Sequence, residues 1–252
     1  MAEEIEELAK FYNELKPSIF KKFEDKSFKE NLVEWIECSK LDINAAKEIK
    51  KYYTNKADNN QFLIALAVFH LQQAVEKVTK VFSYIIVKPE HSAEKTVRES
   101  GHTSVLALVS ALLSIKDILP TYYVNLLIKL EEQLKDPLGK EGIIGNDDFV
   151  RLNREQIREL INRFDTAAPN NSVTFKISGE SDVAIHRIVI ELVQILPLAL
   201  ITFPHWSFSR YPNGRVKPSN YNELGITQCI DELISKTEII INNLNFKNFV
   251  LF

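Results

Sequence analysis

Four residues on one stretch have types and spacing that could do chemistry together. His70, Gln73, Lys77 and Lys80 stand at i, i+3, i+7 and i+10 within QFLIALAVFHLQQAVEKVTKVFSYIIV, residues 61–87. On a helix that spacing keeps all four on one side. An imidazole, an amide and two ammonium groups so placed could hold a phosphate or a nucleotide. The same face could instead pack in a polar interface between helices. A plainer reading is a polar surface ridge in which Glu76 and Lys80 pair one turn apart. Spacing and charge by themselves favour that plain ridge.

Other catalytic patterns are weak or missing. No GxxxxGK[ST] is present, and the seven glycines are few for a glycine-rich phosphate-binding fold. Gly139, Gly142 and Gly145 share a GxxGxxG spacing but follow no predicted strand, and Lys140 precedes a glutamate, so a loop is the reading. There is no HExxH, no CxxC and no GxSxG. The five histidines, His70, His91, His102, His186 and His205, include no pair at i, i+4, so no metal site is expected from local spacing. Glu131-Glu132 and Asp147-Asp148 read as solvated faces or turns. No cofactor is expected.

The elements that must position the polar face are helices. Leu63, Ala67, Leu71, Ala74, Val78, Val81, Phe82 and Ile85 follow the three-to-four spacing of a buried stripe, which predicts one long helix over 61–87. Similar stripes predict helices over 3–15, 31–53, 103–118, 120–135, 154–164, 181–203 and 221–245. Asn153 and Gln156 are spaced as a capping box for the helix from Arg154. Residues 136–180 have a looser texture, with one short helix and room for a short strand, and read as an insertion. The fold class expected is all-α, an antiparallel bundle.

The stretch FHLQQAVEKVTKVF, followed by Gly101-His102 opening a helix, resembles the HEPN family (higher eukaryotes and prokaryotes nucleotide-binding). VEWIECSKLDINAAKEIKKYY resembles that family's first helix, with Asp42 before Ala45-Ala46. Arg210-Tyr211-Pro212 and the helix after it resemble the family's RYP-type loop and final helix. The resemblance covers roughly 31–121 and 209–245. It implies a HEPN-like bundle over 31–245, with an N-terminal helical extension at 1–30, an insertion at about 136–180 and a tail at 246–252. It also implies nucleotide-binding candidates: His70, Gln73, Lys77 and Lys80 on the helix, joined by His102, Arg210 and Tyr211.

Many HEPN ribonucleases carry Arg, four to six residues, then His near the last helix. No such pair occurs here. Arg98 and His102 are nearest, with three residues between them, and His205 lies shortly before Arg210. The resemblance therefore implies the non-nuclease branch, whose members bind nucleotides or pair with a minimal nucleotidyltransferase in a toxin–antitoxin-like arrangement. A metal-independent ribonuclease using Arg98/His102 or Arg210/His205 is the alternative, and a purely structural helical interaction protein is a third reading. A homodimer is expected, covering apolar surface such as 188–203.

Charge and composition bound these readings. A net charge of −3 excludes a generally basic nucleic-acid-binding chain, which leaves RNA as an open partner. Two cysteines, Cys38 and Cys229, are too few for a disulfide framework. The start MAEEIEE lacks the basic and apolar regions of a signal peptide. The most apolar stretch, 188–203, holds Glu191 and Pro197 and is shorter than the roughly 20 residues a span requires. A cytoplasmic protein without membrane attachment is expected.

Overall fold

The computed structural model describes residues 17–19, 21–55, 61–86, 104–113, 150–167, 180–205 and 216–244, with isolated positions elsewhere. Every regular element among the described residues is helical, so the fold is an all-α helical bundle. The expected helices over 3–15 and 120–135, and the short strand within 168–180, lie largely or wholly outside the described residues.

Helix α1 is Lys26–Asn55. It begins at Lys26 rather than at residue 31 because Asp25 caps it. The Asp25 carboxylate accepts from the backbone N–H of Ser27 at 2.8 Å and of Phe28 at 3.3 Å, which satisfies donors left open at a helix start. Helix α2 is Gln61–Ile86. Leu71, Ala74, Val78 and Phe82 are fully buried, as their spacing predicts.

The two helices form an antiparallel hairpin. Ser39, midway along α1, donates to the carbonyl of Ala74 at 3.3 Å. Lys22, just before α1, reaches the carbonyls of Tyr84 and Ile85 at the far end of α2, each at 2.8 Å. A lysine on carbonyls that have no helical partner is the expected satisfaction of a helix C-terminus.

The remaining elements are α3 (Ser104–Leu113), α4 (Arg154–Ala167), α5 (Glu180–Thr202), a 3₁₀ turn (Pro218–Glu223), α6 (Gly225–Gln228) and α7 (Ile230–Asn243). Helix α2 packs against α1, α3, α5, the 3₁₀ turn and α7, so it is the central helix. The predicted capping box is present at the start of α4. Asn153 Oδ1 accepts from Gln156 N, and Gln156 Oε1 accepts from Asn153 N, both at 2.9 Å.

Two further elements differ from the sequence expectation. Helix α5 starts at Glu180, ahead of the expected cap at Ser181-Asp182. The apolar stretch 188–203 is not left open for a second chain. Ile188, Leu192, Ile195, Leu196, Leu198 and Ile201 are buried by the chain itself, where α5 meets α2, α4 and α7. The single helix expected over 221–245 is broken into the 3₁₀ turn, α6 and α7. Thr227 Oγ1 and Leu224 N both donate to the Tyr221 carbonyl, at 2.6 and 3.1 Å, which fixes a turn where a continuous helix would run. Among the described residues no helix is long and apolar enough to cross a membrane.

Candidate functional site

The α1/α2 hairpin places His70, Gln73 and Lys77 on its outer side, joined by a residue that sequence spacing alone did not select. Asp42 projects from α1 between His70 and Lys77, which lie two turns apart on α2. His70 Nδ1 lies 3.0 Å from Asp42 Oδ1, so the tautomer protonated at Nδ1 donates to that oxygen. Lys77 Nζ donates to Asp42 Oδ2. The three side chains are partly covered, with 26%, 22% and 17% of the His70, Lys77 and Asp42 side chains exposed. Partial burial pushes the Asp42 carboxyl up. The hydrogen bonds and positive charge of His70 and Lys77 outweigh it and hold the group below the usual carboxylate range.

Lys80 belongs to a different layer. Its side chain is buried and donates to Glu76 Oε1 at 2.8 Å, one turn back on α2. Its ammonium sits 5.3 Å from the centroid of the Trp35 ring on α1. Glu76 Oε2 accepts from Gln72 Nε2 at 3.0 Å, and Gln73 Nε2 donates to Gln72 Oε1 at 2.6 Å. The predicted intrahelical Glu76–Lys80 pair is therefore present, but as a buried contact and not on a surface ridge. The predicted row of four residues divides accordingly: His70, Gln73 and Lys77 face outward, while Lys80 is enclosed.

The electrostatic result bears directly on ligand chemistry. Each lysine of the row is matched by a carboxylate, Lys77 by Asp42 and Lys80 by Glu76. Among the described residues of the outward face, an incoming phosphate would meet the Lys77 ammonium already paired with the Asp42 carboxylate.

His102, Arg210 and Tyr211 lie outside the described residues, as does Arg98. His205, offered as an acid/base partner for Arg210, is buried, with 1% of its surface exposed. Its Nδ1 lies 2.9 Å from Tyr221 Oη, and burial lowers its pKa to about 3. Burial likewise pushes the Tyr221 phenol up, beyond its ordinary range. A neutral imidazole enclosed by the core is held away from any substrate at the surface.

Two further polar groups are buried in the core. Ser209 Oγ donates to the His205 carbonyl at 2.6 Å, beside the His205–Tyr221 contact. Glu191 on α5 accepts from Asn243 Nδ2 on α7 at 2.6 Å, and its second oxygen has no hydrogen-bond partner among the described residues. Burial pushes the Glu191 carboxyl up. Among the described residues no group of three or more His, Cys, Asp or Glu could hold a metal ion.

No family model, curated protein or solved structure matches this chain.

Proposed function

We propose that this chain is a non-catalytic, HEPN-like binding protein that works by docking another polypeptide on the outer face of its α1/α2 hairpin. The observation that carries the reading is the composition of that face. Phe62, Leu66, His70, Gln73 and Lys77 follow one another at three- and four-residue steps, so they form a single stripe along α2. Its first end is apolar, with Phe62 62% and Leu66 40% exposed. Its other end is polar and already neutralised by Asp42. An apolar patch continuing into matched charges suits a protein surface. It suits a polyphosphate poorly.

A second copy of this chain is the proposed occupant. A two-fold interface brings the same patch to both sides, and this patch carries both signs of charge beside an apolar end, so it complements itself. Sedimentation equilibrium tests the idea. The expected species has twice the 29.0 kDa chain mass, and Leu66→Glu converts it to monomer while its helical circular dichroism is retained. A wild-type monomer that forms a stoichiometric complex with a minimal nucleotidyltransferase would replace the second copy by that partner. A monomer that binds ATP or GTP, with affinity lost in Lys77→Gln, would overturn protein docking in favour of a nucleotide.

A further inference from the structure

His70 is the middle residue of the docking stripe, with Phe62 and Leu66 before it and Gln73 and Lys77 after it. A two-fold axis makes both copies use the same patch, so if residue i of one copy touches residue j of the other, j also touches i. When two such stripes lie antiparallel and overlap fully, the first residue meets the last and the middle one meets its own copy. When they lie parallel, every residue meets its own copy. Residue 70 faces residue 70 in both arrangements.

The chemistry of this imidazole is set within one chain. His70 Nδ1 donates to Asp42 Oδ1 at 3.0 Å, which leaves a lone pair on Nε2, at the ring edge away from the carboxylate. Nε2 makes no hydrogen bond among the described residues. Lys77 holds the other Asp42 oxygen, so the ring is braced from behind by a fixed carboxylate. A carboxylate that takes one ring N–H of a histidine is the usual support of a metal-ligating imidazole. It fixes the tautomer and the ring orientation, and it makes the other nitrogen more basic. The Lys77 charge beside the ring is offset by Asp42, so no net charge opposes a cation there. Within one chain, no group of three or more His, Cys, Asp or Glu among the described residues could hold a metal ion. One imidazole is an incomplete site, and the second copy supplies the other half.

We propose that the two His70 side chains of the dimer bind one divalent transition-metal ion through their Nε2 atoms, across the two-fold axis. Imidazole nitrogen suits zinc, copper and nickel, and zinc(II) is the ion used to test the site. Water completes the coordination shell, so the ion tightens the dimer and does not fold the chain. The inference rests on the docking of a second copy on the α1/α2 face, and it names what regulates that contact.

Sedimentation equilibrium of the full chain in EDTA and in Zn²⁺ tests it, with calorimetric titration to count the ions. Zinc is expected to lower the dimer Kd by about tenfold or more, with one ion bound per two chains. His70→Gln is expected to abolish that response. Leu66→Glu parts the copies while keeping His70, so it should bind zinc about tenfold more weakly or worse, and it carries the test if His70→Gln fails to fold. A monomer in EDTA that dimerises in zinc supports the site and the docking reading together. A dimer whose Kd zinc leaves unchanged overturns the metal site and leaves the docking reading standing. A monomer in both solutions overturns both. Zinc tightening that survives in folded His70→Gln puts the ion on other residues and overturns the site.

Discussion

Asp42 holds together a contact that neither helix makes alone. It is one carboxylate serving an imidazole and an ammonium group from the facing helix. Lys77→Gln removes the charged donor and leaves His70 as the partner of a half-buried carboxylate. A loss of about 1.5–3 kcal/mol in unfolding free energy is expected, the scale of one hydrogen bond to a charged group, as measured by urea denaturation. The sign with pH follows from the lowered carboxyl. Its folded-state pKa lies below the unfolded value, so its stabilisation is present above the unfolded pKa near 3.8 and is lost as pH falls through the folded one. Asp42→Asn should therefore lower stability at neutral pH and flatten the acid limb of the stability profile. An unchanged acid limb would show that the bridge contributes nothing to folding.

At the scale of elements, α2 carries the bundle and the Gly225 junction joins its last part. Phe82 lies fully buried on α2, and Phe82→Ala is expected to cost about 3–5 kcal/mol. A loss under about 1 kcal/mol would mean that the helix is turned differently from what its stripe indicates. A Cβ on Gly225 would stand 2.2 Å from the Leu152 carbonyl oxygen, so Gly225→Ala should cost about 1–3 kcal/mol as an overpacking change, read by the same denaturation.

These two elements also mark how far the sequence could be read. The buried stripe of α2 repeats every three or four residues, and the Asn153–Gln156 box spans three, so both are visible in local spacing. Asp42 with His70 was not visible, because it depends on the register of two helices 28 residues apart in sequence. Lys80 misled for a different reason. A lysine at a polar position reads as exposed, yet Glu76 and the Trp35 ring cover it. The break of the last helix lay in one carbonyl, that of Tyr221, taken by a threonine six residues on.

For the whole molecule, two carboxylates, one half-buried and one buried, pull stability in opposite directions as pH changes. Glu191 is raised by burial, the reverse of Asp42. Its protonated form suits the core, so its favourable state is fully present below the unfolded value near 4.5 and is lost as pH rises through the folded one. Glu191→Gln keeps an oxygen for Asn243 and removes the charge. The variant should be more stable than wild type near pH 7, because the desolvated charge is gone, with the difference shrinking as pH falls towards 4.5. Thermal scans at intervals between pH 3 and 8 would show it. A variant no more stable than wild type at pH 7 would mean that water reaches the second oxygen.

The stack of Lys80 on Trp35 makes the hairpin an optical instrument. The indole belongs to α1 and the ammonium above it to α2, so the ring's surroundings exist only while the two helices are together. If they part, the indole loses the covering cation and meets water, and its emission moves to longer wavelength. Of the two tryptophans in the chain, replacing Trp206 by phenylalanine leaves Trp35 as the single reporter. Its wavelength can then be followed in stopped flow to time the closing of α1 on α2, separately from the far-ultraviolet signal of helix formation.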